Sequence, residues 1–237
     1  MIKLGLCGFT MSAAAYFRTF GVVEVQQTFY QPPEPRTLER WRVSAPPDFE
    51  FTMKAWQVIT HRATSRTYRR LRTPLTDEQR VEAGAFQWTP TVLDAWQTTL
   101  RCARILRATA ILFQCPASFR STDEHVANMR RFFGGIDRPP GVELLWEPRG
   151  PWPDDLVRGL CEELGLVHAV DPFVRPSLTP RLPYWRLHGI SGSRHVYSDA
   201  ELRQLIGWLP AAGDAYVMFN NLPRIGDAAR FREMMRT

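Results

Sequence analysis

Lys3-Leu-Gly-Leu-Cys7 followed by Gly8-Phe-Thr-Met11 is the stretch on which the fold turns. The first five residues read as a short strand, and Gly8 closes it. An open doubly wound sheet would carry a glycine-rich phosphate loop at this turn, G-x-G-x-x-G, or a Walker lysine. Gly8-Phe-Thr-Met11 has neither. Outward from it, strand-like runs recur at Val22–Gln26, Glu50–Lys54, Ala110–Gln114, Val142–Glu147, Leu166–Asp171, Tyr184–His188 and Asp214–Asn220. Helical patterns separate them at Ser12–Thr19, Arg36–Ser44, Pro90–Arg107, Thr122–Gly135, Asp154–Leu164, Ser198–Leu209 and Ile225–Met235. Thr89-Pro90 is a helix start, with Thr as cap and Pro in the first turn. The segment from Asp171 to Leu182 holds Pro172, Pro176 and Pro180, so no helix is expected there. Trp56–Trp88 reads as a long, Arg-rich connection. Eight strands with intervening helices predict an α/β fold. It is a single TIM (β/α)8 barrel with the helix after strand 6 reduced or absent, one domain over residues 1–237.

The 237 residues are 44% hydrophobic and 23% charged, enough apolar material for one core. No run approaches the length of a membrane span, and Met1–Gly8 lacks the pattern of a signal peptide, so the expectation is a cytoplasmic protein with no membrane partner. Cys7, Cys102, Cys115 and Cys161 form no C-x-x-C, which excludes a zinc ribbon and leaves small buried residues or free thiols. The net charge is +6, but 28 of the 30 basic residues are Arg and only Lys3 and Lys54 are Lys. Such a ratio reflects coding bias as much as a binding surface. The charge is compatible with a phosphate-bearing partner without establishing one.

Polar residues collect where the strands end: Glu24 and Gln26, Thr52 and Lys54, Gln114, Glu147 and Arg149, Asp171, Arg186 and His188, Asn220 and Asn221. Alternation puts Glu24 with Gln26, Thr52 with Lys54 and Arg186 with His188 on one face. Val23, Val25, Phe51, Met53, Trp185 and Leu187 take the other, beneath the helices. The polar set therefore faces the barrel interior at its C-terminal mouth, where barrel active sites lie. A purely structural network of ion pairs is the competing reading, but it is expensive to desolvate.

Glu24-Val-Gln-Gln-Thr-Phe-Tyr30, Phe49-Glu-Phe-Thr-Met-Lys54 and Thr60-His61 resemble motifs of the YecE-like family, number 72 among domains of unknown function. Phe113-Gln-Cys-Pro116, Trp146-Glu-Pro-Arg149 with Trp152, Asp171, Arg186-Leu-His-Gly189 and Phe219-Asn-Asn221 are similar to its remaining motifs in order and spacing. The resemblance implies a TIM barrel and leaves the reaction open. Gln26 stands where the family commonly has Asn, Cys7 where it has a hydroxyl, and the segment after Arg149 lacks the usual His.

Glu24, Lys54, Glu147, Asp171 and His188 are the candidate catalytic residues; Gln26, Tyr30, His61, Gln114, Arg149, Arg186, Asn220 and Asn221 are the candidate substrate-binding ones. Lys54 suits a task that needs a compact ammonium or a deprotonatable amine. His188 or His61 is the candidate general base, whereas His168 and His125 read as structural or surface. Arg186 is expected to grip an incoming anion in bidentate fashion, with Arg62–Arg72 closing over it. Trp56, Trp88, Trp146 and Trp152 are candidates for stacking on a base or sugar. No metal site and no cofactor are expected, because Lys54 and Arg186 would repel a dication. The expected function is a hydrolase or lyase acting on an anionic, phosphate-bearing small molecule or a nucleic acid. The alternatives are a carbohydrate or small-polyol enzyme using the same carboxylates, or a non-catalytic nucleic-acid-binding barrel.

Overall fold

A computed structural model describes residues 1–179 and 181–236. Eight strands, β1 Ile2–Cys7, β2 Val22–Val25, β3 Glu50–Lys54, β4 Ala110–Gln114, β5 Glu143–Glu147, β6 Val167–Val170, β7 Tyr184–Leu187 and β8 Ala215–Phe219, pair in chain order. All pairings are parallel, and β8 returns to β1 through Leu4↔Val217 and its neighbours, which closes the barrel. Gly5 sits at a crowded point of that closure. A Cβ there would stand 2.2 Å from the Val22 carbonyl oxygen, so β1 and β2 can approach only over glycine.

The outer layer begins with α1 Ala13–Thr19, α2 Gln27–Tyr30, α3 Pro35–Ser44, α4 Gln57–Thr60, α5 Asp77–Glu82 and α6 Pro90–Leu106. It continues with α7 Asp123–Gly135, α8 Asp154–Glu163, α9 Asp199–Gly207 and α10 Arg224–Met234. The caps follow from hydroxyl chemistry: Thr89, Thr122 and Ser198 each accept a backbone N–H of the helix they open. Strand alternation then makes two apolar layers. Val23, Val25, Phe51, Met53, Trp185 and Leu187 pack outward against the helices. Leu112, Leu145, Val167, Tyr184 and Met218 fill the barrel itself.

No helix links β6 to β7 among the described residues, and Pro180 of that segment lies outside them. His168 on the outer face of β6 holds the segment: its N–H donates to Thr179 Oγ1 at 2.8 Å, and its Nδ1 accepts the Leu178 N–H at 3.2 Å. The long connection from Trp56 to Trp88 is built of short helices. It contains α4, a 3-10 turn at Arg66–Arg70, and α5, whose Thr76–Gln79 capping box satisfies two otherwise free N–H groups. No helix of the described residues is long and apolar enough to cross a membrane.

Candidate functional site

Arg186, two residues into β7 and facing inward, organises the centre. Its Nε and Nη2 donate to Glu24 Oε2 and Oε1 at 2.9 and 2.8 Å, and its Nη1 donates to Glu147 Oε2. Nη2 also reaches Cys7 Sγ at 3.7 Å. Arg186 is 1% exposed and Glu24 is fully buried. Tyr184 donates to Glu24 Oε2 at 2.9 Å, and the Gln26 amide donates to Glu24 Oε1. Burial alone would push both carboxyls up. The guanidinium between them outweighs it, holding Glu24 below the usual carboxylate range and Glu147 well below.

Above this layer lie half-exposed groups. Arg149 Nε donates to Glu147 Oε1 at 3.0 Å, and its Nη2 stands 2.9 and 3.3 Å from Nε2 and Nδ1 of His188. His188 Nε2 faces Glu147 Oε1 at 3.1 Å, and its Nδ1 faces Asn220 Nδ2 at 2.9 Å. With the Asn220 amide nitrogen as donor, Nδ1 accepts and Nε2–H points at Glu147, so the Arg149 guanidinium packs against the ring without donating to Nε2. The Gln114 amide reaches Glu147 Oε1 at 3.4 Å, and its oxygen accepts from Lys54 Nζ at 2.5 Å. Lys54 is buried, with Nζ 3.7 Å from the Phe29 ring centroid, and burial brings its ammonium down to about 7. A cavity of about 300 Å³ opens here, lined by Glu147, Arg149, Asp171, Arg175 and His188.

Glu24, Gln26, Lys54, Gln114, Glu147, Arg149, Arg186, His188 and Asn220 thus form one connected network. Several expectations need correction. Arg186 is no clamp for an incoming anion, since its donors are committed to Glu24 and Glu147 inside the barrel. His61 is no general base: burial, then the cations of Lys54 and Arg149, push its imidazole down to about 3, and Nδ1 pairs with Thr60 Oγ1 at 2.8 Å. Asn221 faces away from the mouth, donating to the His195 carbonyl at 2.8 Å and to Asp227 Oδ2 at 2.6 Å. Asp171 lines the cavity but accepts the backbone N–H groups of His188 and Phe173 at 2.8 and 3.1 Å, while burial raises its carboxyl. Tyr30 lies at the rim under Arg70, whose guanidinium is 4.2 Å from the ring. Trp146 and Trp152 pack on each other in the outer core, centroids 5.0 Å apart, and are closed to stacking.

Tyr184, Cys7 and Phe29 were not among the candidates. Tyr184 and Cys7 were readable from alternation, each sharing an inward parity with a neighbouring strand-end residue. Phe29 was not, because it comes from the short α2. Among the described residues, no three His, Cys, Asp or Glu side chains are grouped to hold a metal ion.

No curated protein matches this chain. Among solved structures, a DUF72 family protein from Enterococcus faecalis V583 superposes with a TM-score of 0.72 at 20% identity, covering 100% of this chain and 98% of that one. One from Thermotoga maritima MSB8 gives 0.69 at 18%, covering 100% of both. A xylose isomerase domain containing protein from Salmonella typhimurium LT2 gives 0.57 at 15%, covering 99% and 94%. These likenesses show the barrel fold. The family model for DUF72, a protein of unknown function, matches residues 11–237, and the chain belongs to that family.

Proposed function

We propose that the mouth is the active site of an enzyme that holds a small molecule by a phosphate or similar anionic group and moves a proton on it. The observation that carries this reading is His188. Its side chain is 28% exposed, held between Glu147 and Asn220, and bordered by the 42% exposed side chain of Arg149. An anion taking over the Arg149 guanidinium would release it from Glu147. That carboxylate, still held by Arg186, would then be freer to orient the His188 ring. Substrate displacing the Asn220 amide would meet Nδ1, the free acceptor of the neutral ring. Arg186 meanwhile keeps Glu24 and Glu147 ionised without entering the reaction. Hydrolysis and elimination both fit this acid–base arrangement. The exposed Arg66, Arg69, Arg70 and Arg72 at the rim add positive field for a phosphate-bearing substrate.

Thermal unfolding with inorganic phosphate, a sugar phosphate and the matching free sugar tests this. Phosphate-bearing molecules should protect, by ~2.7 kcal/mol at ~100 times the dissociation constant. Arg149→Met should lose that protection. Equal protection by the free sugar, or protection that survives Arg149→Met, would contradict the reading.

A further inference from the structure

Lys3 and Lys54 are the two lysines in a chain that otherwise uses Arg. Lys3 serves the far end of the barrel, where its ammonium pairs with Glu50 at 2.7 Å and Asp214 at 3.3 Å. Lys54 is held differently. It is 3% exposed, and among the described residues no carboxylate forms an ion pair with its Nζ. Its Nζ instead donates to one amide oxygen, from Gln114, and lies over the face of Phe29. These hold the nitrogen in place without neutralising a charge on it. Gln114 also reaches Glu147, which faces His188, so the amine ends one side chain away from the acid–base pair. A guanidinium in this position would stay protonated and unreactive, whereas a desolvated lysine becomes a nucleophile.

We infer that Lys54 is a nucleophilic amine that forms an imine with the carbonyl group of a substrate anchored at the mouth by its anionic group. The inference rests on the anion-binding reading above and adds the substrate class, an aldehyde or ketone carrying phosphate or carboxylate. In the first step the neutral Nζ adds its lone pair to the carbonyl carbon, and His188 Nδ1 passes one Nζ proton to the carbonyl oxygen. His188 Nδ1 then takes the second Nζ proton and delivers it to the new hydroxyl, which leaves as water. The product is an imine plus one water, with no change of oxidation state. Protonated, this imine draws electrons from the adjacent carbon, which lets a neighbouring bond break with the pair held in the conjugated system. Burial that brings Lys54 to about 7 leaves much of the amine neutral near neutral pH.

The test is borohydride trapping. The protein is incubated separately with dihydroxyacetone phosphate, glyceraldehyde 3-phosphate and pyruvate, reduced, and examined by intact mass and peptide mapping. At least one should add a single reduced skeleton per chain, on Lys54, saturably and with competition from inorganic phosphate. The labelling rate should rise about tenfold per pH unit up to about pH 7 and then level. Lys54→Arg should abolish the adduct and Lys3→Arg should keep it. If Lys54→Arg does not fold, peptide mapping of the wild type decides. No adduct with any of the three, or labelling spread over Lys3 and the N-terminus, overturns the inference. Phosphate protection without an adduct would remove the imine and leave the anion-binding mouth standing; loss of both would remove both.

Discussion

Arg186 carries its donors into the barrel and finds acceptors on Glu24 of β2 and Glu147 of β5. Arg186→Met would strand two buried carboxylates, so urea unfolding should show a loss of about 3–5 kcal/mol. Arg149, which lies at the solvent edge, should cost no more than about 1 kcal/mol when changed to Met. An equal loss for the two would show that Arg186 is not the centre of the network. Lys54 and His61 are two of the buried groups that shape the pH dependence. Both are lowered by burial, so the folded state binds fewer protons than the unfolded one between the two values. His61, at about 3 against an ordinary 6.5, makes stability fall as pH drops below about 6.5. Lys54, at about 7 against 10.5, makes stability rise with pH above about 7, by up to about 1.4 kcal/mol per unit. Urea midpoints between pH 7 and about 9 should therefore climb more steeply in wild type than in Lys54→Met. Parallel slopes would show that Lys54 keeps an ordinary ammonium. Alternation along each strand was enough to pick out Glu24, Lys54, Glu147 and Arg186 from sequence. Applied one residue further it also separates Asn220 from Asn221. What it could not provide is the pairing of Arg186 with Glu24, 162 residues away, since only closure of the barrel brings them together.

Caps and breakers made most elements readable. Thr89-Pro90, Thr122 and Ser198 start helices where their hydroxyls can take free N–H groups, and among the described residues after β6 there is no helix, as the prolines require. Short helices were harder. The four residues of α2 and of α4 show no period of their own, being fixed by contacts with β3 and α6. Thr76-x-x-Gln79 did carry a signature, masked by the surrounding arginines. The Ser198 box has a second duty, because Glu201 Oε2 accepts from Ser198 N at 2.7 Å and also faces His195 Nε2 at 3.2 Å. Ser198→Ala should cost about 1 kcal/mol in urea unfolding. Phosphate protection should be unchanged, since α9 contributes nothing to the cavity. A loss of that protection would place the His195–Ser198 stretch, beyond His188, within the site as well.

Closure of eight parallel strands focuses their polar ends on one mouth, with bulky outward residues fixing each register. The sequence's case for closure was indirect, a missing glycine-rich loop together with eight strand-like runs, and pairing of β8 with β1 supplies the direct one. Charge is also arranged at this scale. Glu24 and Glu147 are satisfied from within by Arg186, while Arg149 and Asn220 present donors to the opening beside the His188 ring. We propose that this outer group receives an anion. The direct measurement is a crystal structure of the protein grown with a sugar phosphate. It should show the phosphate against Arg149, His188 and Asn220, with the Arg149–Glu147 pair opened and Arg186 still bridging Glu24 and Glu147. A mouth without phosphate, or a divalent ion bound by Glu24 and Glu147 with Arg186 displaced, would contradict it.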